Sequence, residues 1–259
     1  MDRESGDLVI WSSGDVTSSD HPMARSPDFI SDRISQIRER IDLAARRSGR
    51  NPDDIALMAV SKTVSAESIA VAYQAGIRLF GENRVQEFAA KHEALAHLKG
   101  ASFALIGTLQ SNKVNKAVEL FSAIHSVDSL RLLERINAAI ERAKHSPLPV
   151  AIEINIGDPA KAGLVPGSRQ LDELVQSAGR YSYVHIQGLM TIPPFTEDPE
   201  GARPYFRKLR ELRDQIASRN LRNVSMQLLS MGMSHDFEIA IAEGSTCVRI
   251  GTAIFGERT

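Results

Sequence analysis

The chain alternates short apolar runs with stretches of helical period, and it does so eight times without a break in composition. The runs fall at 55–60, 78–80, 103–106, 123–127, 150–156, 184–192, 224–229 and 247–255. Such short runs, flanked by turn residues, are how a strand buried on both faces reads. Between them, 67–75, 85–98, 112–121, 130–143, 171–178, 205–216 and 237–242 have the period or composition of helices. Strands separated by helices return to the same end of a sheet and therefore run parallel. Eight units in about 235 residues, with no linker, predict a single closed (β/α)8 TIM barrel, with an open doubly wound sheet as the runner-up. A leading helix precedes it: Ile30, Ile34, Ile37 and Ile41 share one face, and the pattern stops at Ser48-Gly49 with Pro52 beyond.

Of the 259 residues 42% are hydrophobic, enough for a full core without disulfides or metal. Lys and Arg (31) balance Asp and Glu (32), which provides no basic field for nucleic acid or an anionic membrane. Any bound anion has to be held locally. Cys247 is the only cysteine, so no intramolecular disulfide can form and a reducing, cytoplasmic setting is expected. No apolar run approaches the roughly 18 to 20 residues of a membrane span. Residues 1–25 are rich in Ser, Asp and Gly, and the apolar stretch at 8–11 is too short for a signal peptide. They are expected to be a disordered extension of a domain covering 26–259, with Met23 as an alternative start.

In a barrel the chemistry gathers at the C-terminal ends of the strands. Lys62 follows the apolar run 55–61 at such an end, where partial desolvation favours the neutral amine that attacks aldehydes. Position alone favours a solvent-facing lysine in a βα loop, and the other strand ends have to tip the balance. Ser234 after the seventh strand and Gly251-Thr252 in the last strand supply hydroxyls and close backbone approach for a phosphate. Ser234 also reads as a helix N-cap. Arg249 interrupts the last apolar strand; it can bind a phosphate, pair with a carboxylate, or face the nitrogen of a heterocycle. Asn83 ends the second strand within reach of a ring or Schiff base, and Glu82 is expected to pair with a cation across the mouth. Gln110 and Asn112 serve as site residues or as loop and cap residues. His185, His235 and Asp236 lack metal-ligand spacing, so no metal site is expected. Lys113 and Lys116 form either a solvated helix face or a second phosphate site.

Several ordered segments carry a resemblance. They include Ala59-Val60-Ser61-Lys62-Thr63, Phe80-Gly81-Glu82-Asn83, Gly107-Thr108-Leu109-Gln110-Ser111-Asn112-Lys113 and Gly188-Leu189-Met190-Thr191-Ile192-Pro193. Two more are Ser230-Met231-Gly232-Met233-Ser234-His235-Asp236 and Val248-Arg249-Ile250-Gly251-Thr252. From about Ile30 onward the chain resembles the pyridoxal phosphate homeostasis protein family. That resemblance implies a fold-type III barrel similar to the N-terminal domain of alanine racemase. It implies pyridoxal 5′-phosphate held as a Schiff base on Lys62, with Arg249 at the pyridine nitrogen. Ser234, Gly251 and Thr252 would take the phosphate, and Asn83 would lie near the ring. Arg84 and Thr108 depart from the family pattern, which has an aromatic and a proline there.

The related racemases and decarboxylases complete their sites with a second, mostly β domain and a dimer partner. Here Thr259 comes seven residues after Thr252, and Tyr73, Tyr181, Tyr183 and Tyr205 lie away from the strand ends. The expectation is a monomeric cofactor carrier without catalytic residues, with a dimer as the alternative oligomeric state. It would maintain vitamin B6 balance by serving pyridoxal phosphate-dependent apoenzymes as recipients. Two alternatives stand: a pyridoxal phosphate-dependent amino-acid racemase, and a lysine Schiff-base aldolase without cofactor.

Overall fold

The computed structural model describes residues 27–158 and 161–256. Eight parallel strands close into a barrel in sequence order, because β1 pairs with both β2 and β8. They are β1 (Ala56–Val60), β2 (Leu79–Glu82), β3 (Ser102–Leu105), β4 (Ala123–Val127), β5 (Leu148–Glu153), β6 (Val184–Met190), β7 (Val224–Ser230) and β8 (Cys247–Ile250). The helices are α1 (Pro27–Arg47), α2 (Ala66–Gln74), α3 (Val85–Leu95), α4 (Val114–Leu120), α5 (Leu130–Ala143), α6 (Arg169–Ser177), α7 (Arg203–Ala217), α8 (Phe237–Ala242) and α9 (Thr252–Phe255). The barrel expectation therefore holds, and the open sheet is excluded by the β1–β8 pairing. The expected extension over 1–25 and the alternative start at Met23 lie outside the described residues.

Period-2 alternation divides each strand between two cores. Ala59, Phe80, Leu105, Ile124, Ile152, Leu189, Leu229 and Ile250 face outward into the large cluster shared with the helices. Met58, Ala104, Ile106 and Cys247 form a smaller cluster inside the barrel. Burying each large aliphatic side chain contributes about 1.5–3 kcal/mol, so the outer layer supplies most of the stability. Gly188 lets β6 and β7 close together: a Cβ there would collide with the Leu228 carbonyl oxygen.

The eighth unit differs from the sequence expectation. The run 247–255 is not one strand; β8 ends at Ile250, and the Gly251 carbonyl accepts bonds from Ile254 (2.9 Å) and Phe255 (3.0 Å) to start α9. A helix of four residues cannot cover its side of a barrel. The leading helix does so instead, with Ile30, Ile34, Ile37 and Ile41 buried and α1 packed against α8, α2 and α9. Arg40 fixes it to Glu238 of α8 at 2.8 Å, and Arg33 donates to the Thr252 carbonyl at 3.3 Å. Among the described residues no helix is long and apolar enough to cross a membrane.

Candidate functional site

Lys62 stands in the turn after β1, half-buried, and a network behind it fixes that turn. The Ser61 hydroxyl donates to Glu82 at 2.5 Å, and Lys91 of α3 pairs with the same carboxylate at 2.8 Å. Lys91 Nζ also donates to the carbonyls of Ser61 (2.9 Å) and Val64 (3.2 Å), so both sides of the turn are tied to one ammonium. Burial pushes the fully buried Glu82 carboxyl up, and the Lys91 ammonium opposes this. Glu82 thus pairs with a cation, but not across the mouth as its sequence position suggested. With Phe80 facing outward, alternation sends Glu82 outward too, toward α3 rather than the barrel interior. Thr63 has φ 61°, an unfavourable region for a β-branched residue. Its N–H donates to Glu87 at 2.5 Å and Val64 N–H donates to the Ser61 carbonyl at 3.1 Å, which holds the turn and presents Lys62.

Arg249 is 3% exposed, and its guanidinium is clamped. One arm donates to Ser230 Oγ at 2.9 Å, the other to the Thr191 carbonyl at 2.8 Å. Thr191 is in turn fixed through its hydroxyl, which donates to the Ile154 carbonyl at 2.7 Å. Strands β6, β7 and β8 are therefore joined at their C-terminal ends by one cation. The family of roles left open by the sequence narrows: no carboxylate pairs directly with Arg249 at salt-bridge distance among the described residues. Its guanidinium retains further N–H donors beyond these two bonds.

Ser234 lies in the loop between β7 and α8. It does not cap α8, as the sequence had also allowed: the cap position belongs to Asp236, whose carboxylate accepts from Met233 N–H at 2.7 Å. Burial pushes the Asp236 carboxyl up, with the Met233 bond and Arg249 opposing. Gly232, at φ 93°, permits the loop to lie against α8, since a Cβ there would sit 2.5 Å from Ala240 Cβ. Gly251 and Thr252 stand at the start of α9, where the first backbone N–H groups of a helix have no intrahelical partner.

These residues enclose two adjoining chambers at the C-terminal end of the barrel. The smaller, about 250 Å³, is lined by Lys62, Ser234, His235, Arg249, Gly251 and Thr252 among others. The larger, about 670 Å³, lies toward β2, β3 and β5 and includes Asn83, Arg84, Gln110, Lys113 and Glu153. Lys62 and Arg249 border both. All six residues singled out in the sequence thus line one mouth. Gln110 and Lys113 also reach it, whereas Lys116 pairs with Glu119 at 3.2 Å on α4, which fits the solvated-face reading. The donor set suits a phosphorylated aldehyde: an amine at a desolvated turn, hydroxyls and backbone N–H groups for an anion, and a fixed cation between them. Among the described residues no cluster of His, Cys, Asp and Glu is placed to hold a metal ion.

Sequence reasoning missed Glu153 and His125. Glu153 ends β5 inside the mouth, and burial followed by the charge of Asp128 pushes its carboxyl up to about 7, with Arg249 opposing. His125 on β4 is buried with Nδ1 unpartnered, and burial followed by Arg249 brings it down to about 4, so its ring is neutral. The signal for Glu153 was available: like Arg249, it is a charge at the end of an apolar strand. The Ser61–Glu82–Lys91 cluster left no such mark, because Lys91 sits on an ordinary amphipathic helix.

The alanine racemase N-terminal domain model matches residues 33–259. A pyridoxal phosphate homeostasis protein of Aquifex aeolicus is 46% identical over 230 residues, covering 88% of this chain and 97% of the relative. One of Escherichia coli is 42% identical over 232 residues, with 88% and 97% covered. Among solved structures, PipY of Synechococcus elongatus with pyridoxal phosphate bound superimposes with a TM-score of 0.77 at 35% identity. That superposition covers 88% of this chain and all (100%) of PipY.

Proposed function

The chain belongs to the pyridoxal phosphate homeostasis protein family, and from that premise we propose that it holds pyridoxal 5′-phosphate at the barrel mouth as a Schiff base on Lys62. The observation that carries this reading is the convergence of Lys62, Arg249, Ser234, Gly251 and Thr252 on one chamber. PipY, with pyridoxal phosphate bound, supports the choice of cofactor. The cofactor brings an aldehyde that condenses reversibly with amines and a ring that draws electron density from them.

The residues divide the work. Lys62 Nζ is the attachment point, presented by the Thr63 turn and its Glu87 and Lys91 ties. Ser234, Gly251 and Thr252 bind phosphate oxygens through a hydroxyl and backbone N–H groups. Arg249, held by Ser230 and Thr191, faces the ring nitrogen; a permanent cation there keeps that nitrogen unprotonated and weakens the ring as an electron sink. Asn83 contacts the ring from the larger chamber. An arginine in this role favours storage over carbanion chemistry, so the protein acts as a cytoplasmic carrier that buffers the cofactor or delivers it to apoenzymes.

Freshly purified protein is expected to absorb visible light, to lose that band on borohydride reduction, and to yield a reduced adduct that mass mapping places on Lys62. A colourless protein with no adduct overturns the reading in favour of a cofactor-free aldolase. Carrier and racemase separate on deuterium exchange at the α-carbon of amino acids. Exchange at enzymatic rates, abolished in Lys62→Ala, would replace the carrier by an enzyme.

A further inference from the structure

The larger chamber has a chemistry of its own. Its wall carries four cations, Lys62, Arg84, Lys113 and Arg249, and a single acid, Glu153. Glu153 is the last residue of β5, and its Oε2 is buried with no hydrogen-bond partner. An unsatisfied buried carboxyl oxygen is costly, and the surroundings offer little relief. The Asp128 carboxylate repels it, and the nearby Arg249 has two guanidinium nitrogens bonded to Ser230 and Thr191. His125, on the adjoining strand, is itself buried with an unpartnered nitrogen. Glu153 is only half-buried and also lines the chamber, and that accessible part of the carboxyl is where a strongly donating ligand can reach it.

We propose that the larger chamber takes a second small ligand, an amino acid, whose ammonium group is received by Glu153 and whose carboxylate faces Arg84 and Lys113. It rests on the reading that Lys62 and the smaller chamber take the cofactor, and it gives the neighbouring space an occupant. Charge complementarity selects the class. A simple anion would satisfy the cations but be repelled by Glu153; a simple amine would satisfy Glu153 but meet Arg84 and Lys113. A zwitterion satisfies both, through charge-assisted hydrogen bonds at either end. About 670 Å³ lies within the usual range for small-molecule sites, and Val60, Ile106 and Ile192 give the ligand side chain an apolar wall. Such a ligand stands beside Lys62, where an incoming amine would have to stand to take the cofactor from the protein.

The test uses calorimetry with the cofactor-loaded protein and N,N-dimethylglycine, an amino acid whose tertiary nitrogen cannot form a Schiff base. Its comparator is 3-methylbutanoate, which has the same shape and carboxylate without the ammonium. Wild type is expected to bind N,N-dimethylglycine at least about tenfold more tightly than the comparator, and Glu153→Gln to abolish that preference. The ionised carboxylate is the receiving form, and its proton leaves around pH 7. Affinity should therefore be flat above that pH and fall toward about tenfold per unit below it, with proton release on binding. Glu153→Asp should keep part of the preference, and a melting curve for each variant shows that it is folded. Equal affinity for the two probes, no binding of either, or an undiminished preference in folded Glu153→Gln overturns the proposal. Absence of a visible band is the separate failure of the cofactor reading, and the two probes can still be compared on that colourless protein.

Discussion

The two chambers share Lys62 and Arg249 yet are built by opposite means. The smaller is shaped by backbone: Gly251 at the turn into α9, the loop around Gly232, and hydroxyls that approach with them. The larger is shaped by charges on side chains from several strand ends, with one acid left unsatisfied. Backbone donors fix the position of an anion and tolerate little variation, since moving them means moving a strand. Side-chain charges adapt and can serve more than one ligand. On the proposed reading, a fixed cofactor seat stands beside an adaptable second one.

Removing the shared amine breaks both sides at once. Lys62→Ala is expected to lose the covalent adduct entirely, with no visible band and no borohydride-trapped peptide. Removing the shared cation damages the frame as well. Arg249→Leu leaves Ser230 Oγ and the Thr191 carbonyl without their buried donor, and urea unfolding should show a loss of about 3 kcal/mol.

Glu153 separates the larger chamber from the smaller. Its carboxyl has an ordinary value of 4.5 and is raised to about 7 in the folded chain. Between those values the folded state binds more protons than the unfolded state, so this group makes stability fall as pH rises through the window. Glu153→Gln should remove that slope and gain about 2 kcal/mol at pH 8 relative to pH 5, allowing for solvent at the mouth; paired urea titrations at the two pH values measure it. The smallest effect on the fold belongs to Gly251→Ala. A Cβ there meets Val60 at an ordinary 3.5 Å, so stability should stay within about 1 kcal/mol. Cofactor affinity, followed by equilibrium dialysis, should nonetheless weaken about tenfold because the phosphate loses its close approach to the backbone.

Much of the site is legible in the sequence. Lys62 and Arg249 stand out because each is a charge within or just after an apolar strand, where desolvation makes a charge costly without a use. Glu153 obeys the same rule inside the segment 150–156, which reads as one longer strand. The strand stops at Glu153 instead. Glu82 failed for the complementary reason. Its position beside Asn83 suggests the mouth, but one residue along a strand reverses the face, and its partner Lys91 comes from a helix, nine residues on.

Sequence by itself determined the barrel, since eight buried-strand signals separated by helices have few ways to hide their apolar faces. It also determined which chemical groups gather at the strand ends. Tertiary structure alone decided that α1 stands in for the missing eighth helix, because only packing shows that α9 is too short to cover its strand. It alone decided that Arg249 is held by Thr191 and Ser230, residues 58 and 19 positions away, and that Glu153 Oε2 has no hydrogen-bond partner among the described residues. Periodicity records which face a residue takes, a local property of the backbone. Which side chains meet across a closed barrel depends on strand register and curvature, and these arise only when the whole sheet closes.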